Sequence, residues 1–188
     1  MLVVERLTIE GLVLITPRRF GDTRGFFSEV FNQRSLEDAT GFRKTFVQDN
    51  HSWSIGVGVV RGLHFQSPPH AQDKLVRVSR GRIVDVAVDV RRGSPTYGRH
   101  VAIELSAKNW AQLLIPVGFA HGFMTLEPDT EVQYKVTDYY DAACDSGIRW
   151  NDPNLGIKWP SVSEPVSVSP KDARLPFFGD FSTPFSWP

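Results

Sequence analysis

Four stretches of the chain set ionisable side chains among residues that otherwise read as strand. A histidine, a lysine or a tyrosine in such a place can move a proton, face a charge or bind a metal. In RGLHFQ (61–66), Arg61 and His64 interrupt a valine-rich run. On a regular strand His64 projects with Gln66 to the face opposite Leu63 and Phe65. Strict alternation turns Arg61 the other way, unless Gly62 marks a bulge or bend that re-aims it. In QDKLVRVSRG, Lys74 shares a face with Val76 and Val78, and either face of that strand can be the inward one. PVGFAHGFMTL places His121 between two glycine-containing turns at the head of a strand, and VQYKVTDYY places Tyr134 on the face of Val132 and Val136.

Each of these has an ordinary reading. A lone histidine on a strand is commonly a hydrogen-bonded core residue, a lysine at a sheet edge blunts unwanted pairing, and a tyrosine among valines packs in the core with its hydroxyl partnered. A metal site is the sharper alternative, because His64, His70 and His121 could supply three nitrogen ligands. Against it, Gln66 stands where a His-x-His pair would put its second imidazole. No obvious carboxylate accompanies the set, and Lys74 would bring positive charge near the ion.

The elements that must position these residues read as mostly β. VDVAVDV (84–90) alternates valine with Asp85, Ala87 and Asp89 at period two without a fault. Similar signals occur at GLVLITP, FSEVFN, KLVRVSRG, HVAIEL, AQLLIP, HGFMTL and EVQYKVTDYY, with turn candidates at GSPTYG and EPDT. One short helix fits RSLEDATG. The pattern predicts a sandwich or barrel with a ligand site between its sheets. The length of 188 residues suits one domain spanning 1–188, with residues 141–188 forming a tail of loops and short helices packed on the barrel. The 21 basic and 21 acidic residues cancel, which leaves no electrostatic footprint for nucleic acid or a membrane surface. Cys144 stands alone, so an internal disulfide or a multi-cysteine site is excluded, and a reducing cytoplasm fits. The apolar start MLVVERLTIEGLVLI lacks a basic leader and is broken by Glu5 and Arg6, which argues against export.

Nine motifs in register are similar to those of the dTDP-4-dehydrorhamnose 3,5-epimerase family, cofactor-free cupins of dTDP-L-rhamnose synthesis. They are FGDTRGFFSEVFN (20–32), FVQDNHS (46–52), RGLHFQ (61–66), QDKLVRV (72–78), DVAVDVRRGSPTYG (85–98), IPVGFAHGF (115–123), YKVTDYY (134–140), WNDP (150–153) and SPKDA (169–173). The resemblance implies a jelly-roll barrel in a homodimer with exchanged N-terminal strands, and a dTDP-4-keto-6-deoxy sugar as substrate. It implies no metal and no redox cofactor. It makes His64 the general base, Asp172 the residue that orients it, Lys74 the cation facing the C4 oxygen and Tyr134 the acid. Phe20 and Tyr140 match the family's stacking positions for thymine. Arg24, Glu29, Gln48, Asn50, Arg61, His121 and Lys171 match its polar contacts, with Arg61 on phosphate. On this resemblance Arg24 and Glu29 belong to the exchanged segment and reach the partner's site.

One position departs from the pattern: where relatives carry glutamate after the tyrosine pair, this chain has Asp145, one methylene shorter. The aromatic tail PFFGDFSTPFSWP matches no family role. The expected reaction is epimerisation at C3 and C5. A C3-only or C5-only epimerase, a non-catalytic sugar-nucleotide binding module and a metal-dependent cupin are the alternatives.

Overall fold

A computed structural model describes residues 2–187 of the chain. In chain order the N-terminal part contains β1 (Val3–Arg6), β2 (Val13–Thr16), the hairpin strands β3 (Phe20–Asp22) and β4 (Gly25–Phe27), helix α1 (Gln33–Thr40) and β5 (Gln48–Ser54). Then come β6 (Val59–Gln66), β7 (Lys74–Arg80), β8 (Arg82–Asp89), β9 (His100–Ser106), β10 (Gln112–Ile115), β11 (Phe119–Thr125) and β12 (Thr130–Val136). The C-terminal part adds β13 (Asp145–Gly147), β14 (Ser167–Val168) and two 3-10 turns, Asp172–Arg174 and Phe178–Asp180.

Two sheets make the barrel. One runs β1-β2-β10-β7-β12-β5 and the other β13-β6-β11-β8-β9, with β14 alongside β6. This is the jelly-roll arrangement of the cupins, as expected. No helix among the described residues is long and apolar enough to cross a membrane.

The period-two pattern decides which side chains meet inside. On β8, Ile83 and Ala87 face the interior with Val76, Val78, Leu105, Leu113, Phe119, Phe123 and Val132. The intervening Val86 and Val88 pack outward against Leu63, Phe65, Ala120 and Phe185. Both faces of this strand are therefore buried, the outer one by the C-terminal tail, which explains a valine-rich alternation with no solvated side. Phe185 and Phe181 pack edge-on against Phe65, with ring centroids 5.4 and 5.5 Å away. The Arg91 guanidinium lies between the rings of Phe119 and Trp187, at 4.4 and 4.3 Å.

Helix α1 forms where RSLEDATG predicted it. The Asn32 side chain caps it by accepting from the Ser35 amide, and Gly41, at φ 79°, closes it in the left-handed region. Its Leu36 packs with Val13, Ile15, Leu75 and Leu114 on the outer face of the first sheet.

Three local expectations fail for identifiable reasons. FSEVFN is not a strand beyond Phe27, because side chains satisfy its backbone: the Gln112 amide donates to Val30 O at 2.8 Å and Asn32 is spent on the helix cap. EVQYKVTDYY stops being strand at Val136, after which the amides of Gln72 and Gln66 take the carbonyls of Asp138 and Tyr139. Gly122 lies inside β11, not in a turn, so His121 has a turn only on its N-terminal side.

Candidate active site

The interior faces of four strands bring His64 (β6), Lys74 (β7), His121 (β11) and Tyr134 (β12) to one cleft. For Lys74 the inward face is the one shared with Val76 and Val78. Arg61 joins the cleft because the β6–β11 register slips between His121 and Phe123, opposite Gly62. The backbones touch at that point: a Cβ on Gly62 would lie 2.6 Å from Gly122 Cα and 2.7 Å from His121 O. Gly62 is thus the bulge that re-aims Arg61. The Arg61 guanidinium is held by Ser54 Oγ at 3.3 Å and Trp53 O at 3.1 Å.

Asp172 arrives from far along the chain. Strand β14 pairs in parallel with β6 and delivers the following 3-10 turn against it. One carboxylate oxygen of Asp172 lies 2.8 Å from His64 Nε2, and the other accepts from the Gly62 amide at 3.1 Å. Burial pushes this carboxyl up, but the hydrogen bonds from His64, Gly62 and Ser169 outweigh that and leave it below its usual range. An ionised Asp172 requires the proton on His64 Nε2, which leaves the Nδ1 lone pair free to act as a base.

Lys74 is buried, its ammonium donates to His64 O at 3.2 Å, and burial lowers its pKa to about 8 against the opposing charges of Asp85 and Asp145. Burial raises the Tyr134 phenol, with Arg61 working in the opposite direction, so the hydroxyl stays protonated at neutral pH. His121 Nε2 lies 2.7 Å from Asp85 Oδ1, and burial lowers this imidazole's pKa.

This hollow has a volume of about 500 Å³. A second of about 200 Å³ adjoins it, sharing His64, Lys74, Tyr134 and Lys171 and adding Gln48, Asn50, Tyr140 and Asp145. Asp145 reaches its place despite the shorter side chain: it accepts from Tyr140 Oη at 3.0 Å and pairs with the Lys171 ammonium. The Gln48 amide donates to Asn50 Oδ1 at 2.9 Å.

Phe20, Arg24 and Glu29 line neither hollow. Phe20 is exposed beneath the Arg18 guanidinium at 4.7 Å, Arg24 pairs with Asp22 at 2.6 Å, and Glu29 accepts from Asn32 at 3.3 Å. The three histidines considered as metal ligands do not form one set either: His64 and His121 share the cleft, but His70 lines neither hollow. His64 pairs with Asp172, His121 with Asp85, and His70 with Asp138 at 3.2 Å. Among the described residues no group of three or more His, Cys, Asp or Glu side chains could hold a metal ion. Sequence reasoning missed Asp85 and Ser54. The signal for Asp85 was its place on the faultless alternation of β8, where one whole face had to be interior.

A cupin barrel whose cleft holds an aspartate-oriented histidine, a buried lysine and a protonated tyrosine defines a site equipped for proton transfer. Residues 6–180 match the family profile described as dTDP-4-dehydrorhamnose 3,5-epimerase, and the chain belongs to that family. The dTDP-4-dehydrorhamnose 3,5-epimerase of Sinorhizobium fredii is 51% identical over 188 residues, covering 97% of this chain and 93% of its own. The epimerase of Legionella pneumophila, solved with dTDP-4-keto-L-rhamnose, superposes with a TM-score of 0.92 at 44% identity, covering 97% of this chain and 95% of that one. The epimerase of Bacillus anthracis, solved with TDP and PPi, gives a TM-score of 0.90 at 49% identity over 95% of this chain and all of that one.

Proposed function

We propose that this chain converts dTDP-4-dehydro-6-deoxy-D-glucose to dTDP-4-dehydro-L-rhamnose by epimerising C5 and C3 beside the C4 ketone. The observation that carries the reading is the pairing of His64 with Asp172 across one cleft from Tyr134, with the Lys74 ammonium between sheets. His64 Nδ1 takes the proton from carbon, and the electrons of the broken C–H bond move to the C4 oxygen. Lys74 faces that oxygen and stabilises the enolate. Tyr134 returns a proton to carbon from the opposite side, which inverts the centre, and the imidazolium and phenolate then re-equilibrate with solvent. The same cycle serves the second carbon.

The remaining residues suit the nucleotide. Arg61 and Lys171 are cations placed for the diphosphate. Tyr140 gives a flat surface for thymine, and Gln48, Asn50, His121 and Asp145 give polar contacts. Phe20, Arg24 and Glu29 complete the site of a second copy in a homodimer, which agrees with their exposure and their distance from this chain's own cleft. A nucleotide-sugar substrate supports a cytoplasmic location.

The test is an NMR time course with dTDP-4-dehydro-6-deoxy-D-glucose in deuterated water, with and without chelator, beside His64→Ala. The expected result is chelator-insensitive deuterium uptake at both C3 and C5, slowed by about 100- to 10,000-fold in the variant. Label at one carbon only would make the enzyme a mono-epimerase, and no label would overturn the assigned chemistry.

A further inference from the structure

Asp85 is fully buried on the interior face of β8. Its Oδ1 is taken by His121 Nε2, and its Oδ2 has no hydrogen-bond partner. A buried carboxylate with an unsatisfied oxygen is costly, so its charge calls for compensation elsewhere. Lys74 is the one lysine or arginine among the buried described residues, and its ammonium is bonded only to the His64 carbonyl, with no ion pair of its own. Two buried and individually incomplete charges of opposite sign thus share one barrel interior, with His121 between Asp85 and the cleft that Lys74 lines.

We propose that Asp85 is a positioning residue that keeps Lys74 protonated across the cleft and fixes His121 as the Nε2–H tautomer, leaving Nδ1 as the nitrogen that meets the sugar. This rests on the reading of Lys74 as the cation facing the C4 oxygen. The ionisable groups around Lys74 are Arg61 and His64 from β6, His121 from β11, Tyr134 from β12, Asp145 from β13 and Lys171 and Asp172 from the C-terminal segment. Only carboxylates favour its charged form, and they are not equivalent. Asp172 is committed to His64 and Gly62, and Asp145 to Tyr140 and Lys171. Both contacts of Asp145 fall on Oδ2, and of the three carboxylates Asp85 alone keeps a fully buried oxygen without a hydrogen-bond partner. Its influence precedes that of Asp145 among the charges holding Lys74 up against burial.

The experiment follows Lys74 directly. Protein labelled with ¹³C at lysine Cε is titrated by NMR, the Lys74 signal being assigned by its loss in Lys74→Arg. The wild-type midpoint is expected at about 8. Asp85→Asn, which keeps an oxygen for His121 but removes the charge, is expected to lower the midpoint by about one to three pH units. The alkaline fall of kcat/KM moves down by the same interval, and the His121 ring ¹⁵N signals cease to report a single tautomer. An unchanged midpoint in a folded Asp85→Asn protein overturns the proposal. If Asp85→Asn fails to fold, Lys74→Met and Lys74→Met/Asp85→Asn decide the matter. A urea midpoint higher in the double variant than in Lys74→Met supports charge pairing, and one no higher overturns it. A wild-type chain that does not epimerise would overturn the catalytic reading while leaving the Lys74 titration to judge Asp85 separately.

Discussion

At the scale of single residues, the site works by setting neighbouring groups to different protonation states. Asp172 is held ionised, and an ionised Asp172 fixes which nitrogen of His64 can accept a proton. Asp172→Asn leaves a similar volume but lets the imidazole choose the other tautomer, so kcat is expected to fall by about 100- to 10,000-fold in the deuterium-exchange assay. The same substitution has a signature in stability. The folded carboxyl sits below its unfolded value of about 3.9, so its contribution is complete above that pH and is lost as pH falls through the lowered folded value. Urea unfolding of Asp172→Asn between neutral pH and about pH 3 should therefore show a shallower acid decline than wild type. Lys74 sets the other limit. In the proposed mechanism it must carry a proton to face an enolate, and with its pKa lowered to about 8 the rate should fall as pH rises through that value, while Tyr134 stays protonated. A kcat/KM profile flat to pH 10 would exclude Lys74 as the required cation.

How legible these residues were depended on how local their signals are. His64, Lys74 and Tyr134 stood out because each breaks an apolar strand at period two. Asp172 did not, since its loop sequence carries no sign of the β14–β6 pairing that seats it, and it came only through family resemblance. The resemblance in turn could not place Asp145. Hydrogen bonding to Tyr140 and Lys171 shows that the side chain reaches the cleft with one methylene less.

At the scale of elements, the decisive feature is the close approach of β6 and β11. A regular β6 would send Arg61 away from His64, and two facing glycines permit the irregularity that brings them together. Gly62 adopts φ 122° and its missing Cβ would overlap the Gly122 backbone, whereas Gly93, at φ 84°, has open space where a Cβ would go. Both alanine substitutions carry the cost of a left-handed backbone, about 1–2 kcal/mol, but only Gly62→Ala must also push two strands apart. Gly62→Ala is expected to lose about 1–3 kcal/mol more than Gly93→Ala in urea unfolding, as overpacking does, and to lose most of its activity while Gly93→Ala retains it. Equal losses in the two would mean that the strands part without strain. The strand pattern itself was largely readable, with one instructive miss: β5, QDNHSWS, is polar and carries no hydrophobic alternation. It is strand because β12 pairs with it residue for residue from Thr130↔Ser54 to Val136↔Gln48. Its polarity reflects the cleft that Gln48 and Asn50 line.

At the scale of the whole molecule, the proposed mechanism finds its acid–base set within one chain but not all of its proposed ligand contacts. Phe20, Arg24 and Glu29 sit on or just after the β3–β4 hairpin, where Phe20, Phe26 and Phe27 are all exposed. Three exposed aromatic rings on one short hairpin are more than a monomer surface usually carries in one place, and they suit burial against a second copy. If the hairpin of one protomer closes the cleft of the other, each site draws Arg24 and His64 from different chains. Arg24→Ala and His64→Ala homodimers should then both be weak. Co-expressing the two variants under separate affinity tags should produce heterodimers in which one site pairs the intact Arg24 of one chain with the intact His64 of the other. Random assembly makes half the dimers mixed, with one good site of two, so the preparation should recover about a quarter of wild-type activity, and the doubly tagged fraction about half. Were Arg24 to serve its own chain, every site in the mixture would lack one residue or the other. The doubly tagged fraction would then be no more active than its parents, and the dimeric construction of the site would have to be abandoned.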